Sequence, residues 1–400
     1  MTGTDRFYGG GRIFDGQRLH SDSVAQFSGG RLVRIYSQLP KHLSEQLSEN
    51  QLDFVDLKGA FLSPGYLDLQ VNGGDGIMLN EAPTITGLQR IASAHRRLGA
   101  VAILPTLITD RPEKTAQAVQ AVQQAIAAGV PGIVGLHLEG PHLALSRKGA
   151  HDGALIRPMT DTDLDLLLQA AATLPTLMVT IAPENVSLQQ VHRLVQAGVL
   201  VSLGHSDTDF EQAMAYASAG VSCVTHLFNA MSQMGNRAPG LVGAALTAPG
   251  LHAGVIADGI HVHPASLRAA WMACVGKSAL PPPTGKMFLV SDAMAPAGTD
   301  MDEFQLEGRR ISRRNGRLTL ADGTLAGADL DLTTAVRNLQ HSCDLPLDQA
   351  LAAAVTTPRQ VIGHWQGDST ALGMAEVDFI RIQADLTSAA PLFASPTPTA

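Results

Sequence analysis

The sequence predicts an α/β fold, a (β/α)8 barrel joined to a small β-domain, and two observations support this prediction. Between residues 66 and 292, eight strand-sized apolar runs follow one another. Amphipathic segments of helical length separate most of these runs, for example 84–98, 113–128 and 188–197. Strands that alternate with helical crossovers form parallel sheets, and eight such strands are the number found in a closed barrel.

The composition fits a globular protein and argues against several other classes. Of the 400 residues, 45% are hydrophobic and 16% are charged, which excludes whole-chain disorder. A net charge of −8 argues against a general nucleic-acid binder. No apolar run has the length of a membrane span, and the first ten residues contain no signal-peptide core. Three dispersed cysteines indicate the reducing cytoplasm and exclude a disulfide framework.

The first predicted element is the small β-domain. Residues 5–60 contain short strand patterns separated by glycine-rich turns, and no long helical period. The barrel is predicted from 62 to 363. Its strands are expected at roughly 66–72, 100–106, 132–139, 177–183, 199–205, 221–226, 252–258 and 286–292.

The C-terminal part is predicted to return to the small domain. A β-rich stretch at 311–320 and helices at 331–343 and 346–355 precede a late strand at 377–382. The small domain is therefore expected to be a β-sandwich of residues 1–61 and about 364–386. Residues 387–400, rich in Ala, Pro, Ser and Thr, are expected to form a loose tail.

Four polar residues lie where predicted strands end: Glu139, His205, His226 and Asp292. In a parallel barrel these ends converge on one mouth, where barrel active sites lie. Two imidazoles and a carboxylate can hold a divalent ion and leave a position for water, as in catalytic metal sites. Asp292 is then the candidate proton carrier. The alternatives are that these residues are separate polar strand caps, and that Asp292 is a helix N-cap.

Three further polar residues near the mouth have competing interpretations. His137 is expected deeper in the barrel, as a hydrogen-bonded core histidine rather than a ligand. Arg237 lies on a long loop after the sixth strand; its planar guanidinium suits phosphate, although a surface arginine is normally solvated. His261 follows the seventh strand, within reach of a ligand.

Six motifs follow one another along the chain: Pro64-Gly65-Tyr66-Leu67-Asp68, His137-Leu138-Glu139-Gly140-Pro141, Gly204-His205-Ser206-Asp207-Thr208, Thr225-His226-Leu227-Phe228-Asn229-Ala230-Met231, Asp258-Gly259-Ile260-His261-Val262 and Ser291-Asp292-Ala293. Together and in this order they resemble the N-acetylglucosamine-6-phosphate deacetylases of the amidohydrolase superfamily. The resemblance covers about residues 64–363 and, in layout, the N-terminal β-domain. It implies a TIM-like barrel enzyme.

The resemblance also implies roles for individual positions. Glu139, His205 and His226 would hold the metal, and Asp292 would be the catalytic acid and base. His151 would meet the substrate near its acetyl carbonyl. The other substrate-binding positions it implies are Ala150 and Asp258, then Asn229, Ala230, Arg237 and His261 around the sugar phosphate, and Leu325, Ala326 and Gly327 on the acetyl side. It further implies a homodimer, and leaves open whether the partner subunit completes the phosphate site.

The chain departs from most of the superfamily at the end of the first strand. Most members carry His-x-His there, whereas this chain has Gln70-Val71-Asn72. Amides are poor ligands beside imidazole, so one divalent ion per subunit is expected, with zinc first and iron or another divalent ion as alternatives. Gln70 and Asn72 are expected to contact water or to surround the ligands. No role follows for His142.

The implied reaction is hydrolysis of the acetamido group of N-acetylglucosamine 6-phosphate to glucosamine 6-phosphate and acetate, in amino-sugar catabolism. Two alternatives stay open. The substrate is the galactosamine epimer or another N-acetyl amino-sugar phosphate, or the chain is a non-catalytic barrel kept for assembly. Neither a nucleic-acid nor a membrane partner is expected.

Overall fold

Eight parallel strands form the centre of the computed structural model, which describes residues 5–49, 51–275, 287–364 and 370–393. The last strand joins the first through a parallel bridge between Val71 and Ala293 and a bond from the Asp292 amide to the Gln70 carbonyl (3.0 Å). The predicted barrel is therefore confirmed. In barrel order the strands are Tyr66–Val71, Ala100–Ile108, Leu136–Glu139, Leu177–Ile181, Leu200–Leu203, Cys223–Val224, His252–Val255 and Met287–Leu289.

Several barrel strands end earlier than their apolar runs predict. The fifth ends at Leu203 and the sixth at Val224, each two residues before a histidine of the predicted site. His205, His226 and Asp292 instead have backbone φ angles of 49°, 29° and 50°. This left-handed region is unfavourable for residues other than glycine by roughly 1–2 kcal/mol each. Local turns, rather than the alternation of side chains along a strand, therefore determine the direction of these side chains. Residue 286 of the predicted eighth strand lies outside the described residues.

Helices cover the outside of the barrel, and side-chain caps set where several of them begin. Thr84, Ser187 and Asp331 each accept a hydrogen bond from the backbone amide three residues further along. Because a cap fixes the start of a helix, it also limits the loop that precedes it at the mouth. The helices are Ile85–Arg97, Pro112–Ala127, Asp161–Ala171, Leu188–Gln196, Phe210–Ser218, Gly240–Thr247, Pro264–Val275, Leu332–Ser342 and Leu347–Val361.

Both ends of the chain form a β-sandwich. One sheet contains Arg6–Gly9, Val24–Ser28, Arg31–Tyr36 and Asp53–Asp56, and the other contains Arg12–Phe14, Leu19–His20, Phe61–Pro64, Phe379–Ile382 and Ala389–Pro391. Phe27 and Phe379 pack edge to face between the sheets, with ring centroids 5.0 Å apart. Phe379–Ile382 pairs with Phe61–Pro64, so the predicted return of the late strand is confirmed. The helix Lys41–Ser48, which the sequence did not predict, also lies in this part of the chain.

The structure corrects the predicted C-terminal tail. Ala389–Pro391 pairs with Phe379–Ile382, so a loose tail over all of 387–400 is wrong. Residues 394–400 and 365–369 lie outside the described residues. The division of the chain at 61, 363 and 386 into two domains stays a prediction.

The predicted β-rich stretch is wider than 311–320. Glu303–Leu306, Arg309–Arg314, Arg317–Thr319 and Leu325–Ala328 form a four-stranded antiparallel sheet. Its last strand bridges to Ala293 through Ala328, next to the eighth barrel strand. This connection carries Leu325 and Gly327 to the mouth of the barrel.

None of the helices in the described ranges has both the length and the apolar character that crossing a bilayer requires.

Candidate active site

Glu139, His205 and His226 meet at the mouth of the barrel. Glu139 Oε1 lies 3.0 Å from His226 Nε2 and 3.2 Å from His205 Nε2, and the two imidazole nitrogens are 3.1 Å apart. Three donors at these spacings fit around one ion at the ~2.0–2.2 Å of zinc–nitrogen and zinc–oxygen bonds. All three side chains are buried. The structure brings the predicted ligands together; their binding of a metal stays a prediction.

The protonation of these ligands also suits a cation. His205 Nδ1 lies 2.7 Å from the Arg147 carbonyl oxygen. Because a carbonyl only accepts, Nδ1 carries the proton and Nε2 offers its lone pair to the cluster. Burial acts to raise the pKa of Glu139, but the contacts of its carboxylate with the His205 and His226 imidazoles hold the pKa well below its ordinary value. The cluster therefore contains an ionised carboxylate. His226 Nδ1 is buried and has no hydrogen-bond partner among the described residues.

His151 lies beside the cluster, but the proton on its ring is on a different nitrogen from that of His205. Its ring centroid is 4.5 Å from that of His205, and geometry alone would allow it to join Glu139 and His205 around an ion. However, the Thr109 amide donates to His151 Nδ1 over 3.3 Å, so Nδ1 accepts and Nε2 carries the proton. Burial lowers the pKa of His151 to about 3. His151 is therefore a neutral hydrogen-bond donor, which favours His226 over His151 as the third ligand.

Asp292 is held by two amides from the first strand. Asn72 Nδ2 donates to Asp292 Oδ1 over 2.7 Å, and Gln70 Nε2 donates to the same oxygen over 3.1 Å. Burial and the Glu139 carboxylate raise the pKa of Asp292 to about 6. The helix N-cap alternative is wrong, because Asp292 precedes a turn and a bridge to Ala328. Both amides converge on Oδ1, which leaves Oδ2 for the cavity.

A cavity of about 510 Å³ opens above these groups. Asp258 lies behind its wall: the Asp258 carboxylate accepts from the His261 amide (2.8 Å) and from His261 Nδ1 (2.6 Å), and so orients that imidazole. Ala326 is buried. Of the substrate positions that the resemblance implies, the wall contains Ala150, His151, Asn229, Ala230, His261, Leu325 and Gly327.

Arg237 is the predicted phosphate-binding residue that the structure does not bring to this cavity. It lies on an exposed loop at 233–238 and is absent from the cavity wall formed by the described residues. The sequence interpretation in turn missed Ser146 and Arg147, which do line the cavity. Little in the sequence indicates that these two residues line the site, because polar and basic residues are common in loops. The one indication is that both lie just before His151 in the chain.

The remaining two histidines of the third-strand region have structural roles. His137 Nε2 lies 2.8 Å from Thr180 Oγ1, and burial lowers the pKa of His137 to about 4. The prediction of a hydrogen-bonded core histidine is confirmed. His142 Nδ1 lies 3.0 Å from the Arg157 carbonyl oxygen, so it donates there and fastens the loop that follows Glu139.

Comparison with known proteins identifies the family, although no family model matches the chain. The chain is 40% identical over 329 residues to the N-acetylgalactosamine-6-phosphate deacetylase of Shewanella sp. (strain ANA-3), covering 82% of this chain and 81% of that protein. It is 31% identical over 318 residues to the N-acetylglucosamine-6-phosphate deacetylase of Haemophilus influenzae, covering 79% and 80%.

The solved structures agree. The crystal structure of N-acetylglucosamine-6-phosphate deacetylase from Pasteurella multocida superimposes with a TM-score of 0.85 at 29% identity, over 97% of this chain and 98% of that one. The shared fold thus extends over more of the chain, 97%, than the 82% matched by the Shewanella sequence. The chain belongs to the N-acetylglucosamine- and N-acetylgalactosamine-6-phosphate deacetylases, metal-dependent hydrolases of the amidohydrolase superfamily.

Proposed function

We propose that this protein hydrolyses the acetamido group of N-acetylglucosamine 6-phosphate, releasing acetate and glucosamine 6-phosphate. One observation carries the proposal. The ligand cluster, the Asp292 carboxylate and the neutral His151 donor all face one cavity of about 510 Å³. These are a metal-binding group, a proton carrier and a carbonyl-polarising group, which are the parts that amide hydrolysis requires. Membership in a family of enzymes also argues against the non-catalytic alternative.

Glu139, His205 and His226 would hold the divalent ion. Such an ion, when bound, lowers the pKa of water from 15.7 towards ~7 and makes hydroxide available at neutral pH. The contacts of Gln70 support a proposal for the number of ions. Its Nε2 lies 3.2 Å from both Glu139 carboxylate oxygens and 3.1 Å from Asp292 Oδ1, so an amide fills the space between two carboxylates. This favours one ion per subunit, with zinc as the first candidate and iron as an alternative.

Asp292 Oδ2 would accept the proton of the attacking water and then deliver it to the amide nitrogen as the carbon–nitrogen bond breaks. The amine leaves with that proton, and the hydroxyl group stays with the acetyl carbon to give acetate. His151 Nε2–H would donate to the carbonyl oxygen and stabilise the negative charge that develops on it. Being neutral, His151 does not compete with Asp292 for the proton.

The phosphate would be bound at the far end of the cavity by Asn229, Ala230 and His261. The exposed loop around Arg237 supports a homodimer in which Arg237 of the partner subunit reaches this phosphate, because within one subunit Arg237 is not part of the wall. Met234 on the same loop is 61% exposed, which is consistent with contact to a second copy. A cytoplasmic location, suggested by three free cysteines, is part of the same proposal.

N-acetylgalactosamine 6-phosphate is the second candidate substrate, because a relative named for that activity is 40% identical, against 31% for the Haemophilus glucosamine enzyme. Acetate release should be measured for both phosphosugars and for unphosphorylated N-acetylglucosamine. We expect the glucosamine phosphate to be turned over with the highest kcat/KM. A higher value for the galactosamine epimer would reassign the substrate, and no acetate from any of them would refute the proposal.

A further inference from the structure

The Arg147 carbonyl oxygen is the acceptor that faces His205 Nδ1 and so sets the orientation of that imidazole. It lies 2.7 Å from His205 Nδ1 and is at the end of the short 3-10 helix Leu145–Arg147, in the loop after the third barrel strand. Two residues further along the same loop, a Cβ at Gly149 would stand 3.4 Å from His205 Cε1. The imidazole therefore lies against one loop, and a movement of that loop would free its ring to rotate or to change tautomer.

Asp207 ties this loop to the segment that carries His205. Its Oδ2 accepts from Ser146 Oγ over 2.6 Å, and its Oδ1 accepts from Arg147 Nε. Asp207 is only two residues beyond His205, and its carboxylate therefore connects the His205 segment to Arg147, which carries the carbonyl, and to Ser146 before it.

Glu184, from the loop after the fourth strand, holds Asp207 in turn. Glu184 Oε1 accepts from the Asp207 amide over 2.7 Å, and Oε2 accepts from Ser206 Oγ over 2.8 Å. Three successive loops of the mouth are thus connected through two carboxylates. We propose that Glu184 and Asp207 position the Arg147 carbonyl so that His205 is held in the Nδ1–H tautomer, with Nε2 directed to the metal.

The arrangement has little value as a stabilising ion pair. The Arg147 and Asp207 side chains are 37% and 41% exposed, and exposed pairs contribute only ~0–1 kcal/mol to folding. Hydrogen bonds that orient metal-binding histidines, in contrast, typically change metal affinity 10–100-fold. The effect on metal binding and the effect on folding are therefore separable. The inference rests on the proposed metal site.

The test compares Asp207→Ala and the nearly isosteric Asp207→Asn with Asp165→Ala. Asp165 pairs with Arg193 on the surface, at 60% and 47% exposure, and is the matched control. Zn²⁺ affinity is measured by chelator competition, the tautomer of His205 by ¹⁵N NMR of the metal-free protein, and folding by the melting temperature. We expect both Asp207 variants to bind Zn²⁺ about 10–100-fold more weakly, with a mixed His205 tautomer and a nearly unchanged melting temperature.

Arg147→Ala, which keeps the backbone carbonyl, should weaken Zn²⁺ binding in the same direction, and combining it with Asp207→Ala should add little, because both act through one contact. Wild-type affinity and a pure Nδ1–H tautomer in the Asp207 variants would overturn the inference while leaving the metal site intact. Failure of the wild-type protein itself to bind Zn²⁺ would instead refute the proposed metal site.

Discussion

At the scale of single residues, one hydrogen bond to Nδ1 decides what His205 and His151 can each do at the site. His205 donates from Nδ1 to a carbonyl and so presents a lone pair, whereas His151 accepts at Nδ1 from the Thr109 amide and so presents a proton. The two rings are only 4.5 Å apart, yet one is suited to bind a cation and the other to polarise a carbonyl. The residue type is the same, and the backbone partner determines the role.

The metal content tests this assignment directly. We expect close to one divalent ion per subunit by elemental analysis, and its loss in Glu139→Ala, His205→Ala and His226→Ala. His151→Ala should keep the ion, because His151 Nε2 carries a proton and is not a ligand. Two ions in the wild-type protein would contradict the role given to Gln70. Loss of the ion in His151→Ala, with retention in His226→Ala, would mean that His151 rather than His226 is the third ligand.

Asp292→Asn tests the proton carrier. The asparagine oxygen can still accept from Asn72 and Gln70, so the site should keep its shape and its metal. Without a titratable group, kcat should fall by ~10²–10⁴-fold, the range usual for general acid–base groups. Acetate release and metal content are measured on the same preparation. Activity near the wild-type value in metal-replete protein would exclude Asp292 from this role.

At the scale of elements, periodicity predicts the strands but not how they end. The eight apolar runs and the capped helices were predictable because their side-chain patterns repeat along the chain. The left-handed turns at His205, His226 and Asp292 were not, since a period of two holds only within a strand. The strand Ala389–Pro391 was missed because backbone pairing with Phe379–Ile382, rather than composition, forms it. The contact of Arg147 with His205 depends on loop geometry that no local pattern encodes.

Asp68 connects the first strand to the residues after the eighth strand. Its raised pKa predicts how the stability of the barrel changes with pH. Its carboxylate accepts from the Ser291 and Gln70 amides, while burial raises the pKa of Asp68 to about 7. The folded state therefore keeps this proton more tightly than the unfolded chain. The associated stability is fully present below about pH 4 and is lost as pH rises towards 7.

The comparison is made with Asp68→Asn, which cannot ionise. The melting temperature of the variant minus that of the wild type should become more positive between pH 4.5 and 7.5. In free energy the change should be on the order of a few kcal/mol. If the difference in melting temperature stayed constant over this pH range, Asp68 would have an ordinary pKa. The constant difference would then reflect altered hydrogen bonds alone.

At the scale of the whole molecule, the groups proposed for the chemistry all lie in one subunit, but the cavity wall formed by its described residues does not include the arginine that the family resemblance assigns to phosphate. Arg237 stands on an exposed loop beyond the cavity wall. Symmetric dimers bring the same loop of each copy to the other, so one contact can complete both sites. The oligomeric state would then determine substrate binding as well as stability.

Arg237→Ala should therefore lower kcat/KM for the phosphosugar by roughly 10- to 150-fold, the equivalent of ~1.5–3 kcal/mol for a charge-assisted hydrogen bond. The loss should nearly vanish with unphosphorylated N-acetylglucosamine; equal losses on both substrates would mean that Arg237 only shapes its loop.

Mixing Arg237→Ala with Asp292→Asn subunits tests where the arginine acts. In a mixed dimer, the subunit with intact Asp292 receives Arg237 from its partner. Random pairing would restore about a quarter of the wild-type sites. If Arg237 served its own subunit, mixing would restore none, because every site would lack one of the two residues.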